Sequence, residues 1–346
     1  MRNPAGAPGA SSGPSVGELG EGEVLQRILA RLGPVERAVV GPGDDCAVLG
    51  FAGDGAVTTD TMIEGPDFRL AWHSGFELGW KLAATNLSDV AAMGARPTAL
   101  TLALACPAET PVALLEEVAA GLDAACRELA PGCGVAGGDL GRAPVLLASV
   151  TALGDLEGRA GVLRSGARAG DVVAYAGELG LAGLGLSLLF AEAADADGTA
   201  HGRTLEALRR NHPGAIRAQL APRPPIGLGA AASLAGATAM LDVSDGLSLD
   251  AARIARASGV RIDLDPELLE EGFGRQHGEA VPLEAMLRGG EDHGLLATFP
   301  ADTDPPEGFR RIGSVLAAGR GPGLLLAGRP LEPRGWDPFT VRLPGG

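Results

Sequence analysis

FELGWKLAATNLSDVAAMGARPTALTLALA, residues 76–105, decides how the fold is read. Phe76 to Met93 sets Leu78, Leu82, Leu87 and Val90 at helical spacing, which predicts one long helix with these side chains inward. Ala99 to Ala105 follows as a strand. Before this pair, Val48-Leu49 and Ala56 to Thr59 read as short strands around a Gly-Asp-Gly turn, and Glu18 to Leu32 as a helix with Leu25, Ile28, Leu29 and Leu32 on one face. After it come a helix from Pro111 to Leu129, with Pro111 suited to the first turn, and strands at Val135-Ala136 and Val145 to Leu153. Together these form a compact α/β half ending near Gly154. A second half shows strands at Asp171–Ala176, Thr238–Val243, Val260–Leu264 and Leu295–Phe299. Its helices are Leu181–Ala191, one containing Ala230–Leu234, and Leu247–Ser258, closed by Gly259. Leu295–Phe299 is the last clear strand. Residues 194–204 read as a polar surface loop.

The chain has 346 residues, a length that suggests two domains. The boundaries predicted are a disordered tail at 1–17, an N-terminal domain at 18–155 and a C-terminal domain at 156–346. Hydrophobic residues make up 46 % but aromatics only 3 %, so the core must rest on Ala, Val and Leu. A net charge of −15 argues against binding nucleic acid or an anionic membrane through bulk charge, and suits carboxylate clusters that hold divalent cations. Lysine occurs once, at Lys81, outside any G-x-x-x-x-G-K-[ST] loop. No G-x-G-x-x-G opens a helix after a strand either. Phosphate would have to be met by metal ions, arginine and backbone N–H groups. Cys46, Cys106, Cys126 and Cys133 show no C-x-x-C spacing and read as reduced thiols of a cytoplasmic protein. The uncharged run Pro224–Leu241 reads as a buried helix feeding a strand, not a membrane span.

Acidic residues recur beside glycine or at element ends. They stand in Gly43-Asp44-Asp45, Thr58-Thr59-Asp60-Thr61, Asn86-Leu87-Ser88-Asp89, Gly137-Gly138-Asp139, Asp242-Val243-Ser244-Asp245-Gly246 and Gly289-Gly290-Glu291-Asp292. Any one of them alone is no more than a turn, a helix cap or a solvated helix face. Ser244 or Asp245 is placed to cap the following helix, and Asn86 and Asp89 share a helical face. Six such motifs at strand ends and helix starts point to convergence. Converging carboxylates repel unless cations lie between them, which implies metal-assisted phosphate chemistry.

The ordered set GDDCA (43–47), TTDT (58–61), NLSDVAAMGA (86–95), GGD (137–139), RSGARAGD (164–171), DVSDG (242–246) and GGED (289–292) resembles the thiamine-monophosphate kinases of the AIR synthase-like superfamily. The likeness runs from about Glu18 to Phe339. It implies a two-domain α/β (α+β) protein, a homodimer in which N-terminal sheets pair, and transfer of the ATP γ-phosphoryl group to thiamine monophosphate. By the same resemblance Asp45, Thr58, Thr59, Asp60, Asp89, Asp139, Asp242 and Asp245 match Mg²⁺ ligands. Gly138, Asp139, Arg164 and Ser244 match ATP contacts. Glu291 and Trp336 match positions that hold thiamine. No general base is implied, because the acceptor is itself a phosphate, and transfer is direct and in line.

The chain departs from the family at two places. Asp67 in Gly65-Pro66-Asp67-Phe68 stands where a histidine approaches the substrate, and either faces the substrate or is a solvated loop acid. Pro338 stands where relatives often carry histidine. His73 reads as a surface residue, His293 as structural and Cys46 as a small core residue. A second reading is a catalytically silent or substrate-shifted nucleotide-binding member of the superfamily, which Asp67 alone supports.

Overall fold

The protein is described by a computed structural model over residues 13–42, 46–319, 321 and 323–336. Asp45, Pro338 and residues 1–12 of the expected tail lie outside the described residues. The first half runs α1 (Val16–Leu19), α2 (Glu21–Leu29), β1 (Ala38–Val40), β2 (Val48–Leu49), β3 (Gly55–Ile63), α3 (Gly75–Ala92), β4 (Arg96–Cys106), α4 (Val112–Leu129), β5 (Gly134–Arg142) and β6 (Leu147–Asp155). The second half opens with β7 (Val172–Ala176), α5 (Leu181–Glu192), α6 (Leu205–Asn211), α7 (Pro213–Leu220), α8 (Gly227–Leu234), β8 (Ala239–Val243), α9 (Leu247–Ser258) and β9 (Arg261–Leu264). It closes with α10 (Pro266–Phe273), β10 (Arg275–Gln276), β11 (Glu279–Ala280), α11 (Leu283–Arg288), β12 (Gly294–Phe299), β13 (Phe309–Leu316), β14 (Gly323–Leu326) and β15 (Arg329–Pro330). The mixed α/β class expected from the sequence is the one observed.

Two sheets organise these elements. The first has the order β3-β6-β4-β5, antiparallel except for the β4–β5 pair. The second has the order β15-β14-β9-β13-β7-β12-β8. Helix α3 packs between them, which is why fifteen of its residues are buried, Lys81, Thr85, Asn86 and Ser88 among them. A helix covered on all sides must satisfy its polar groups internally. Asn86 therefore donates to the Leu82 carbonyl at 2.9 Å, and Ser88 to the Thr85 carbonyl at 2.6 Å. Ser74 starts α3 with a reciprocal capping box: Glu77 N–H donates to Ser74 Oγ, and the Glu77 carboxylate accepts from Ser74 N–H.

Helix α4 lies against α3 at a distance only glycine allows. A Cβ on Gly79 would collide with the Val118 carbonyl, and one on Gly121 with the Phe76 carbonyl. The two backbones therefore meet, and α3 is fixed in depth and rotation over the sheet. Strand alternation does the rest. In β3, Ala56, Thr58, Asp60 and Met62 face α3, while Val57, Thr59 and Thr61 face the other way. In β8, Ala239, Leu241 and Val243 join the core of the second half, which turns Met240 and Asp242 towards α3.

Several expectations change in detail. The helix read over Glu18–Leu32 is two helices, broken at Gly20, whose φ is +76°. Pro111 stands at the cap of α4, not inside it. Leu295–Phe299 is not the last strand, since β13 to β15 follow. Cys46 is exposed rather than a core residue, and His73 is buried rather than a surface residue. Pro224–Leu241 does form a helix feeding a strand, and no described helix is long and apolar enough to cross a membrane.

Candidate active site

A pocket of about 560 Å³ opens where β3, α3, α5, the end of β8 and the GGED turn meet. From β3 comes Asp60, from α3 come Thr85 and Asp89 at i, i+4, and from the β8–α9 turn come Asp242, Ser244 and Asp245. The opposite wall is built from Asp67 and Arg69, Leu186 and Phe190 of α5, Glu291, and Trp336.

The acids are held differently, and their protonation follows. Asp242 is buried and accepts from Ser88 Oγ at 3.0 Å, with His293 Nδ1 at 3.3 Å from the same oxygen. Burial works against its charge, but the His293 hydrogen bond and charge, together with Ser88, outweigh it and lower its pKa. His293 is raised in return: burial opposes its charge, and Asp242 overcomes that. Asp89 goes the other way, up to about 7, through burial and the negative charges of Asp242 and Asp60, against a 2.9 Å hydrogen bond from Thr58 Oγ1. Asp60 is raised too, by desolvation, with Asp242 and Asp245 adding repulsion and His293 relieving part of it. Asp89 and Asp242 thus shift in opposite directions within one pocket, the pattern of two acids that titrate as a pair.

Asp245 pairs with Arg253 at 2.6 Å. Neither Ser244 nor Asp245 caps α9, as the sequence suggested. The capping acceptor is Asp250 from inside the helix, which takes the Asp245 and Gly246 N–H groups at 3.1 and 3.2 Å and Arg253 at 2.5 Å. This locks the DVSDG turn and aims Asp245 at the pocket.

The GGED turn is held as tightly. Glu291 and His293 both have positive φ, +67° and +54°. Their N–H groups donate to the Ser244 and Val243 carbonyls at 2.7 and 2.8 Å. Asp292 points away from the pocket and accepts the Gly180 and Ala182 N–H groups at 2.5 and 3.0 Å, capping α5 from a distance. Glu291 meets the sole lysine: Lys81 Nζ, fully buried, lies 2.8 Å from Glu291 Oε1 and donates to the Gln219 carbonyl at 3.1 Å. Gln219 Nε2 donates to the other Glu291 oxygen. Burial is overcome by these partners, and the Glu291 pKa is lowered.

Other expected site residues fall elsewhere. Thr59 is on the opposite face of β3, bonded to the Val150 carbonyl and to Thr151 Oγ1 at 3.0 and 3.1 Å. Asp139 shares that face, in register with Ala103, Ser149 and Thr61 across the sheet. Three strand spacings, about 14 Å, separate the two edges. Arg164 is exposed in the connection between the halves, its carbonyl accepting from Ser258 Oγ at 2.9 Å. Gly138 and Asp139 border a second, apolar cavity of about 280 Å³, lined by Leu104, Leu115, Val118, Leu122 and Val135. Asp67 is neither a solvated loop acid nor free: its carboxylate accepts the Ile63 N–H at 2.8 Å and closes its own turn. Its pKa is raised by burial, with Glu291 adding repulsion. Trp336 donates its backbone N–H to the Asp245 carbonyl at 2.9 Å, which seats the C-terminal segment on the pocket.

Sequence reasoning missed Lys81, Ser88, His293, Asp250 and Arg253. His293, taken as structural, is part of the pocket wall. Among the described residues no three His, Cys, Asp or Glu side chains converge closely enough to hold an ion alone. The donor set is nevertheless hard oxygen throughout, and among the described residues neither Asp60 nor Asp89 forms an ion pair with Lys or Arg, His293 relieving only part of their repulsion. That fits a hard divalent ion completed by water and phosphate oxygens.

Comparison with known proteins agrees with this architecture. Residues 43–156 match the AIR synthase related protein N-terminal domain, and residues 168–307 the C-terminal domain. The thiamine-monophosphate kinase of Mycobacterium tuberculosis (strain H37Rv) is 41 % identical over 314 residues, 89 % of this chain and 88 % of that protein. The enzyme of Corynebacterium glutamicum is 38 % identical, covering 88 % of each. Among solved structures, thiamine-monophosphate kinase from Stenotrophomonas maltophilia K279a superposes with a TM-score of 0.69 at 32 % identity, over 89 % of this chain and 96 % of that one. AaThiL complexed with AMPPCP and TMP gives 0.68 at 31 %, over 94 % and 99 %. A pocket in which hard-oxygen acids face a wall carrying Trp336 and Glu291, on a chain matched to these relatives over most of its length, leads to one assignment: the chain belongs to the thiamine-monophosphate kinase family.

Proposed function

We propose that this protein transfers the γ-phosphoryl group of ATP to thiamine monophosphate, giving thiamine diphosphate and ADP. The observation that carries the reading is the two-sided pocket, with Asp60, Asp89, Asp242 and Asp245 along one wall and Glu291 and Trp336 along the other. The acids suit the reacting phosphates when screened by cations, and the second wall suits a flat heterocycle. Asp60, Asp89, Asp242 and Asp245 would hold Mg²⁺, with Asp45, Thr58, Thr59 and Asp139 added by resemblance. Bound Mg²⁺ supplies charge neutralisation for two polyanions that must approach in line. Burial raises the pKa values of Asp60 and Asp89, with carboxylate repulsion added to it, and such an ion would favour their charged forms. No residue is assigned as general base, because the acceptor oxygen is already part of an ionised phosphate.

ATP is assigned to Gly138, Asp139, Arg164 and Ser244, with the adenine in the apolar cavity beside Gly138. Asp139 lies about 14 Å from the β3 edge within one chain. Pairing of two copies through the open sheet face, which carries Val57, Thr59, Thr61 and Asp139, would set β5 of one copy near β3 of the other. We therefore assign a homodimer, with 18–155 as the domain that pairs and 156–346 as its companion. A cytoplasmic setting agrees with four free cysteines. A silent homologue is the lesser reading, since Asp67, its only support, is engaged in closing a turn.

Purified protein with Mg-ATP and thiamine monophosphate, analysed by chromatography, should yield thiamine diphosphate and ADP. ATP binding without product would sink the kinase reading.

A further inference from the structure

The thiamine-side wall holds a cation whose role nothing above explains. The Arg69 guanidinium lies 4.8 Å from the Trp72 ring centroid and 4.7 Å from that of Phe190. The two rings meet edge to face at 5.2 Å, and Trp72 is fixed by a 2.8 Å hydrogen bond from Nε1 to the Ala193 carbonyl. Three cationic or basic side chains line the pocket: Arg69, Arg288 and His293. Arg288 pairs with Glu284 and His293 with Asp242. Among the described residues Arg69 has no side-chain hydrogen bond and no carboxylate partner, although Asp67 and Glu291 share its wall. Aromatic rings hold a guanidinium through its positive charge and accept no conventional hydrogen bond, so its N–H groups remain for an acceptor.

We propose that Arg69 is a specificity-determining residue that donates a hydrogen bond to a pyrimidine ring nitrogen of the substrate, while Glu291 accepts one from the N–H of the neighbouring exocyclic amine. The inference rests on the reading of this pocket as the thiamine-phosphate site. The amidine edge of an aminopyrimidine offers one acceptor beside one donor. Arg69 and Glu291 present the complementary pair, a donor without an acceptor beside a carboxylate that Lys81 and Gln219 hold in place. Glu291 keeps free lone pairs and a side chain 30 % exposed. Of the other acceptors on thiamine monophosphate, the second ring nitrogen lies away from the amino group, and the phosphate belongs at the acidic wall, where transfer occurs. A guanidinium held against Trp72 and Phe190 stays on the heterocycle side.

The test compares wild type with Arg69→Met. Steady-state kinetics give KM and kcat for thiamine monophosphate, and calorimetry gives affinities for thiamine and for an analogue with C–H in place of the ring nitrogen beside the amino-bearing carbon. The expected result is a KM raised about tenfold or more with kcat within about threefold, the loss expected for one charge-assisted hydrogen bond. Thiamine binding should weaken by the same factor, and the analogue should bind both proteins equally. An unchanged KM overturns the assignment, as does a loss confined to the phosphorylated ligand, which would place the contact at the phosphate. If Arg69→Met does not fold, wild type alone decides: equal affinity for thiamine and the analogue refutes the contact. Active wild type with an unaffected variant removes only this inference, whereas wild type that neither binds nor phosphorylates thiamine monophosphate removes the functional reading with it.

Discussion

Replacing Lys81 by methionine tests the deepest electrostatic element of the fold. Methionine keeps most of the stem that packs between α3 and the second half and removes the ammonium. What is lost is the 2.8 Å ion pair to Glu291 and the 3.1 Å hydrogen bond to the Gln219 carbonyl. Removing one partner of a buried pair costs about 3–5 kcal/mol, because the other charge is left behind. Glu291 is 30 % exposed and keeps Gln219. The expected loss is therefore nearer 2–3 kcal/mol, or roughly 5 °C or more in Tm. Urea denaturation of the full chain, followed by far-UV circular dichroism, reads this directly. Adding Glu291→Gln to Lys81→Met removes the stranded charge and should recover more than half of the loss. KM for thiamine monophosphate should rise roughly tenfold in the single variant, since a freed carboxylate no longer presents one geometry. A single variant as stable as wild type, or a double variant that simply adds the two single losses, would refute the claim that this pair is coupled and buried.

Other perturbations probe separate parts of the argument. Asp89→Asn should lower kcat at least about tenfold at saturating Mg²⁺, roughly 1.4 kcal/mol of transition-state stabilisation, while leaving the fold intact; near-wild-type turnover would contradict its place at the reacting phosphates. Gly79→Ala forces a methyl group into the Val118 carbonyl and should destabilise by about 1–3 kcal/mol, measured by the urea midpoint. Asp292 is pushed up to about 7 by burial, against its hydrogen bonds from Gly180 and Ala182. A carboxyl group raised in the folded state contributes stability below its unfolded pKa near 4 and loses it as pH rises towards 7, by up to about 1.4 kcal/mol per pH unit. Wild type should therefore lose more stability than Asp292→Asn between pH 4.5 and 7.5, and parallel pH profiles of the two urea midpoints would overturn this.

The helix and strand at residues 76–105 could be read from the sequence because both obey their periods. The motifs could be read because six of them recur in one chain in a fixed order, whereas any one alone would pass for a turn or a cap. Strand β13 was missed: FRRIGSVL carries two arginines on a half-exposed surface, and its apolar spacing is broken by Gly313. Helices α6 and α7 were missed because each is short and runs into the other at His212-Pro213. The site residues that escaped have no local signature. Lys81 and Glu291 are 210 positions apart, as their numbers show, and meet only when α3 is enclosed by the second sheet. His293 was legible as a residue but not as a partner of Asp242, since a positive φ and a shared β8 edge bring them together. The Asp67 departure was read as a matter of substrate chemistry alone; its carboxylate lines the pocket and is also a backbone acceptor that shapes the turn carrying Arg69.

Because the chain has one lysine and that lysine is sealed between α3 and the second half, its side-chain amine is a reporter as well as a strut. Amine-reactive esters should modify the folded protein only at the N-terminal α-amino group. Lys81 becomes reactive when α3 separates from the GGED turn and α7. The rate at which one acyl group appears on the peptide containing Lys81 thus times a single event, the parting of the two halves of the molecule. Slowing of that rate by a ligand would measure how firmly the ligand holds them together.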